Sequence, residues 1–329
     1  MPDPPVAVVV VNFQTPELTS RAVISAEQSE GVDVRVLIVD NGSDDGSVAF
    51  LEKNSPQARL LSLKRNLGFG SGVNAALREI GEPWIAILNS DAVFTNERVL
   101  RNLVDLCGQR PKLGVVGPRI EDPEGNTQFS VRAFPSIRAE LARGISAHRW
   151  LPPKMRSSWF GAEFVDYGKS TSADWLTGAC FLVRRDVFEE VGEFDSSIFM
   201  YGEELEWMWR VSRAGWEVRY HAEPGVQHLG KGSSRGRGDW QRRAAMAGDA
   251  YAVRVHRGRT YLAGFALARC LSLTLQWMIQ TAMGSLNRDE TRRGRGREAW
   301  LNLNAWIMAL TQKGFKDPRR PAFLPDPSP

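Results

Sequence analysis

Four short apolar runs, residues 6–11, 34–39, 59–63 and 84–88, are rich in β-branched side chains, and each gives way to polar or turn residues. Between them lie stretches with helical period, residues 17–27, 47–54 and 72–80. The alternation predicts βαβαβαβ, and so an α/β fold whose mostly parallel sheet is flanked by helices. In such a sheet the ligand crevice lies beyond the carboxyl ends of the strands. The polar residues that follow each strand are therefore the first candidates: Asn12-Phe13-Gln14, Asp40-Asn41-Gly42-Ser43, Asn66-Leu67-Gly68-Phe69-Gly70 and Asn89-Ser90-Asp91.

From about residue 118 to 168 the pattern is irregular, with scattered Pro, Gly, Arg and aromatic residues, and reads as loops that could close over a ligand. Order returns at residues 173–184 as one strand or a strand pair, then at 185–191 as a short helix. An aspartate-bearing turn, Glu193-Phe194-Asp195, precedes a strong helix at 203–214 stopped by Gly215. After about residue 234 the character changes. Residues 261–286 are largely apolar, and 270–287 carry no charge over nearly the length of a membrane span. Arg269, Ser272, Gln276 and Gln280 nevertheless draw a polar stripe opposite Leu271, Leu275, Met278 and Ala282, so an interfacial helix is expected in place of a spanning one. Trp277, Trp300, Trp306 and the run Arg292-Arg293-Gly294-Arg295-Gly296-Arg297 add groups that a headgroup layer favours. The same pattern would also serve helices that pack on the catalytic domain or on a second copy in a homodimer. We divide the chain into a catalytic domain, 1–235, and a C-terminal helical, amphipathic and membrane-associating region, 236–329.

Charge sharpens that division. Of the net +4, residues 1–229 contribute −7 and residues 230–329 contribute +11. A basic tail on an acidic body suits nucleic acid or anionic lipid; with the apolar helical faces beside it, the expected partner is a membrane surface and not nucleic acid. Three widely spaced cysteines, Cys107, Cys180 and Cys270, fit neither a disulfide framework nor a metal site. The first residues lack the basic and apolar parts of a secretion signal. The expected location is cytoplasmic, peripheral at the inner face of the cell membrane.

Some of the polar residues have chemistry beyond turns. Asp40 emerges at a strand end, where a carboxylate either caps a turn or accepts hydrogen bonds from a nucleotide. Gly68-Phe69-Gly70-Ser71-Gly72 offers exposed N–H groups at a helix start, which suits phosphate, although any tight loop would use such glycines. Asp91 could hold a hard divalent cation together with diphosphate oxygens. Glu204, opening a helix with Glu203 beside it, could take a proton from an attacking hydroxyl or simply favour the helix dipole. His228 alone is an ordinary histidine.

In order and spacing these pieces resemble the family 2 glycosyltransferases, the inverting GT-A group, and within it the rhamnosyltransferase-like branch. The resemblance is carried by Val8-Val9-Val10-Val11-Asn12-Phe13, Val39-Asp40-Asn41-Gly42-Ser43-Asp44-Asp45-Gly46-Ser47, Asn66 to Asn74, Leu88-Asn89-Ser90-Asp91, Trp175-Leu176-Thr177-Gly178-Ala179, Phe194-Asp195, Phe199-Met200-Tyr201-Gly202-Glu203-Glu204-Leu205-Glu206 and Val226-Gln227-His228. It covers roughly residues 6–233 and implies a Rossmann-like GT-A fold. It further implies that Asp40 contacts the nucleobase and that Asn12, Asn66, Gly68, Gly70, Asn74 and Asn89 bind the donor. Asp91 and His228 would hold Mg or Mn, and Asn89 stands where the family's Asp-x-Asp element has its first aspartate. Glu204 or Glu203 would be the catalytic base, and Trp175 and Gly178, with Trp207 and Trp209 as either lining or core, would shape the acceptor site. The implied donor is a nucleotide sugar, dTDP-rhamnose, and the implied acceptor a polyprenyl-linked glycan of the cell envelope. Two rivals remain. A dinucleotide-dependent oxidoreductase fits poorly, because the glycines follow the third strand and lack Gly-x-Gly-x-x-Gly spacing. A catalytically silent nucleotide-sugar-binding protein is kept alive by Asn89 and Glu204.

Overall fold

The computed structural model describes residues 2–229 and 238–311, which form two compact units. The first takes in residues 2–132 and 165–229; the second takes in 133–164 and 238–311. The expected boundary at 235/236 and the tail beyond 311 lie outside the described residues.

In the first unit β1 (Pro5–Asn12), α1 (Pro16–Glu27), β2 (Asp33–Asp40), α2 (Ser47–Asn54), β3 (Arg59–Ser62), α3 (Phe69–Leu77) and β4 (Trp84–Asn89) alternate as the sequence predicts. The valines of β1 are buried on both faces, as a parallel strand covered by helices requires. Pro16 starts α1 at the first helical position, where its missing N–H costs nothing. Next come β5 (Ala92–Phe94), α4 (Val99–Gln109), β6 (Leu113–Glu121) and the two-residue strands β7 (Thr127–Gln128) and β8 (Val131–Arg132).

Residues 118–168 are not the free loops that their composition suggests. They complete β6 and then form α5 (Ile137–Gly144) and α6 (Pro153–Phe160), which belong to the second unit. Their scattered apolar residues, Ala139, Ala142 and Phe160, make a small core of their own, too short in each helix to register as periodic.

The first unit resumes with β9 (Thr171–Ser172), β10 (Trp175–Leu176), β11 (Cys180–Arg184), α7 (Arg185–Val191), α8 (Glu203–Arg213) and β12 (Glu217–His228). The main sheet runs β3-β2-β1-β4-β11-β6-β12-β5. β3, β2, β1 and β4 are parallel, β11 is inserted antiparallel between β4 and β6, and β12 is parallel to β6 but antiparallel to β5. Two apolar clusters cover the faces of this sheet. Trp207 is fully buried in one of them; its ring stacks on Phe188 at 4.6 Å, and its Nε1 donates to the Gly192 carbonyl at 2.9 Å.

The second unit gathers α5 and α6 with α9 (Gly238–Arg257), α10 (Arg259–Leu286) and α11 (Glu290–Thr311). Part of the polar stripe of α10 turns inward. Ser272 is buried, and Arg269 pairs with Asp249 at 2.7 Å beneath the ring of Trp306. Trp306 is itself fully buried, so of the three expected interfacial tryptophans it belongs to the core. Leu267, Leu271, Leu275, Met278, Ile279 and Leu286 are exposed, which reverses the usual orientation of a surface helix in water. Among the described residues α10 is the one helix long and apolar enough to cross a membrane.

Trp207→Ala should lower unfolding free energy by about 3–5 kcal/mol, because it opens a large cavity and orphans the Gly192 carbonyl. Denaturant unfolding checks this; a loss below about 1 kcal/mol would mean that the site collapses around the gap.

Candidate active site

The parallel-to-antiparallel switch builds the site. Cys180 lies opposite Leu88, and the Asn89 N–H donates to the Ala179 carbonyl at 3.0 Å, so the segment before β11 borders the carboxyl end of β4. Asn89 and Ser90 then lead to Asp91 in a tight turn that enters β5, and Ala92 of β5 pairs with His228 at the end of β12. This register sets His228 Nε2 3.1 Å from Asp91 Oδ1, both side chains largely buried. The Asp91 carbonyl accepts from Leu229 N–H at 3.0 Å, which closes the turn.

The pair suits a divalent cation. Adjacent corners of an octahedron with bonds of about 2.1 Å lie about 3 Å apart, so one carboxylate oxygen and one imidazole nitrogen at this separation can share one ion. Among the described residues no group of three or more His, Cys, Asp or Glu could hold a metal unaided. The remaining ligands would have to come from water or from a bound diphosphate.

Glu203 and Glu204 open α8, with Gly202 before them at φ +107°, a conformation that a side chain would strain. Their environments differ. Glu203 points into the core, its Oε2 has no hydrogen-bond partner, and burial, then the neighbouring Glu204 charge, push its carboxyl well above the ordinary range. The backbone N–H groups of Glu203 and Tyr201 oppose that shift only in part. Burial raises the Glu204 carboxyl too, but the backbone N–H groups of Glu204, Gly178 and Gly202 oppose the shift by binding its carboxylate. Gly178 has no room for a side chain, because a Cβ there would collide with the Glu204 carboxylate. The candidate base is thus pinned to the segment that borders Asn89.

Several expected donor residues have other work. Asn12 is fully buried; its amide donates to Asp40 Oδ1 at 2.7 Å and accepts from the Thr19 hydroxyl at 2.7 Å. Asp40 is equally buried, and its Oδ2 accepts from Ser43 N–H at 2.9 Å, so the carboxylate expected at a nucleobase braces the β1–β2 end. Asn74 clasps the backbone of Phe194, donating at 2.8 Å and accepting at 3.0 Å. Gly68 and Gly70 are buried under the loop that leads into α8: Phe69 N–H donates to the Phe199 carbonyl at 3.0 Å, and a Cβ on Gly70 would lie 3.1 Å from that of Phe194. Their missing side chains admit this loop. Asn66 is half-buried and accepts from Asn41 and from Gly68 N–H. Asn41, given no role of its own among the candidates after β2, ties the turn after β2 to the loop before α3 through Leu67 N–H and the Gly68 carbonyl.

Trp175 is half-buried on β10. Trp207 and Trp209 are core residues and not acceptor lining. Gln128 was also missed: its Nε2 donates to the His228 carbonyl at 2.7 Å, and its Oε1 lies 2.8 Å from His228 Nδ1. A lone glutamine in a two-residue strand gives no sequence signal.

A mixed α/β sheet of this order, with a candidate base at a helix start and an Asp91–His228 pair at a strand end, suits a sugar-transferring enzyme. The family model "Glycosyl transferase family 2" matches residues 7–192, and the chain belongs to that family. It is 31% identical over 241 residues to an N-acetylglucosaminyl-diphospho-decaprenol L-rhamnosyltransferase of Mycobacterium tuberculosis, covering 70% of this chain and 77% of that protein. Among solved structures it is similar to the mannosyltransferase PcManGT from Pyrobaculum calidifontis in complex with GDP-Man and Mn2+, with TM-score 0.57, 14% identity, and coverage of 93% of this chain and 87% of that one. It is also similar to residues 1–349 of S. aureus TarS, with TM-score 0.51, 11% identity, and coverage of 93% and 81%. The fold is GT-A, and the chain is a glycosyltransferase.

The two glutamates should separate in experiment. Glu204→Gln should lower the transfer rate roughly a hundredfold or more with donor affinity nearly unchanged, whereas a dead Glu203→Gln beside an active Glu204→Gln would reverse the roles. A base must be deprotonated, and burial raises the Glu204 pKa, so kcat/KM should fall as pH drops through a value above the usual carboxylate value of about 4.3. For Glu203 the raised pKa favours the folded state fully below the unfolded value, and that contribution fades as pH rises through the folded one. Glu203→Gln should therefore unfold at higher temperature than wild type at alkaline pH; equal or lower thermal stability there would show that Glu203 is not buried as an acid.

Proposed function

We propose that the protein transfers a sugar with inversion from a nucleotide donor, dTDP-rhamnose, to a polyprenyl-linked glycan during cell-envelope synthesis. The observation that carries this reading is a run of contacts along one strand end: Gly178 N–H binds the Glu204 carboxylate, the next residue, Ala179, accepts from Asn89 N–H, and Asp91 two residues on pairs with His228. Glu204 takes the proton of the acceptor hydroxyl as its oxygen bonds to the anomeric carbon, and the bond from that carbon to the diphosphate oxygen breaks on the opposite face. The nucleoside diphosphate leaves. Asp91 and His228 would hold a divalent cation, Mg or Mn, and a bound cation neutralises the charge that develops on the diphosphate. The Mn2+ in the mannosyltransferase complex supports the metal, and the name of the mycobacterial relative supports rhamnose and a lipid diphosphate.

A lipid-linked acceptor is confined to a bilayer, so an enzyme resident at that surface meets it at a raised local concentration. The outward apolar row of α10 and the exposed Arg288, Arg293, Arg295 and Arg297 fit an anionic surface, where each arginine contributes about 1 kcal/mol. Lying in the interface suits α10 better than spanning, because spanning would carry the Arg269–Asp249 pair into hydrocarbon. On this reading the enzyme is peripheral at the cytoplasmic face, and a homodimer through the same row is the alternative occupant.

A panel of nucleotide sugars tests the donor. Mn-dependent hydrolysis or transfer should be fastest with dTDP-rhamnose, and Asp91→Asn should weaken donor binding chiefly when metal is present. Equal affinity of mutant and wild type with and without Mn would return Asp91 to a turn residue. Full-length protein should float with anionic liposomes at low salt and partly detach at high salt, since only the electrostatic share is screened; protein that stays in the soluble fraction at low salt and elutes as a dimer would give the apolar row to a second copy.

A further inference from the structure

His228 is held from behind by one side chain. Gln128 sits on β7, opposite Ile120 of β6, and β6 runs beside β12, whose last residue is His228. Only the NH2 end of an amide can donate to a carbonyl, so the 2.7 Å contact from Gln128 Nε2 to the His228 carbonyl fixes which way the amide faces. That leaves Oε1, 2.8 Å from His228 Nδ1, as an acceptor, and the proton of the pair is therefore on Nδ1. The other ring nitrogen, Nε2, faces Asp91 Oδ1 at 3.1 Å.

We propose that Gln128 is the positioning residue of the cation site: it sets the His228 tautomer and aims the Nε2 lone pair at the ion that Asp91 shares. The inference rests on the metal-dependent reading above and adds to it a residue that touches neither donor nor acceptor. With the proton on Nδ1, a neutral His228 turns the Nε2 lone pair to Asp91 Oδ1 at 3.1 Å, and the two atoms repel unless a cation or a second proton lies between them. A histidine free to flip or to change tautomer would relieve that repulsion by turning Nε2 away; the two-point grip of Gln128 on ring and backbone forbids it. The cost of holding the ligands together is thus met in the folded chain before the ion arrives, which is how outer-shell partners raise metal affinity.

The test compares Gln128→Leu, which removes both contacts at similar size, with Gln128→Glu, which keeps an acceptor for Nδ1–H. Free Mn2+ is followed by its electron paramagnetic resonance signal in the presence of whichever of dTDP, UDP or GDP the wild type binds best. Nucleotide affinity in EDTA is measured alongside. Gln128→Leu should weaken Mn2+ binding about 10–100-fold and leave metal-free nucleotide binding unchanged, while Gln128→Glu recovers most of the loss. An unaltered Mn2+ affinity in Gln128→Leu would overturn the positioning role. So would equal losses of Mn2+ and metal-free nucleotide binding, which a merely structural glutamine would give. Wild-type protein that binds none of the Mn2+ with any of the three nucleotides would remove the cation site itself, and this proposal with it.

Discussion

One register decides where the chemistry sits. β11 enters the sheet antiparallel to β4 with Cys180 opposite Leu88, so the chain just before β11 runs alongside the chain just after β4. A one-residue slip would turn every side chain on β11 to the other face and move Gly178 away from Asn89. Because Gly178 holds the Glu204 carboxylate, the proposed base would move with it. The second half of the site obeys a similar constraint: Ala92 paired with His228 brings the imidazole to Asp91. Both constraints are enforced by buried strands, Phe181, Leu182 and Val183 on one side and Val226 on the other, so catalytic geometry is bought with core packing.

The loop that leads to the proposed base is tied down at several points. Asn74 grips the Phe194 backbone, Phe69 donates to the Phe199 carbonyl, and Gly68 and Gly70 leave no gap beneath. Tyr201 precedes α8 at φ +67°, a conformation that residues with a side chain rarely adopt, and Gly202 follows at φ +107°, which glycine adopts freely. Such strain persists only where the surroundings over-determine it, and here it delivers Glu203 inward and Glu204 to Gly178. Two adjacent carboxyls in a poorly solvated place cannot both carry charge cheaply: burial raises both, Glu203 further because the Glu204 charge adds to it, and three backbone N–H groups favour the charged form of Glu204.

Much of this was legible in the sequence. The βαβαβαβ half declared itself, because valine runs and turn residues alternate with helical stretches, and Asp91, Glu204 and His228 stood out by their order along the chain. What failed to show was where side chains spend their hydrogen bonds. Asn74 looks like a pocket residue, yet its partner lies 120 positions away. Asp40 and Asn12 sit at strand ends beside a crevice, yet each finds its partner in the other. The glycines after β3 read as a phosphate cradle because flexibility and close packing leave the same signature. Residues 137–160 read as loop because their helices are too short for a period to emerge, and their apolar residues find partners in a separate unit. The tail pattern correctly marked α10 as two-faced, but Trp306 shows that the position of an aromatic residue on a helix does not reveal which side is covered.

The central claim is a single displacement in which Glu204 deprotonates the acceptor and the diphosphate departs from the opposite face. The anomeric configuration of the transferred sugar, read by NMR from product made with the preferred nucleotide sugar, tests it most directly. A product whose configuration is opposite to that of the donor is the predicted result. A product that retains the donor configuration would require either a covalent intermediate or attack from the leaving-group face, and would contradict Glu204 as the base of a single displacement.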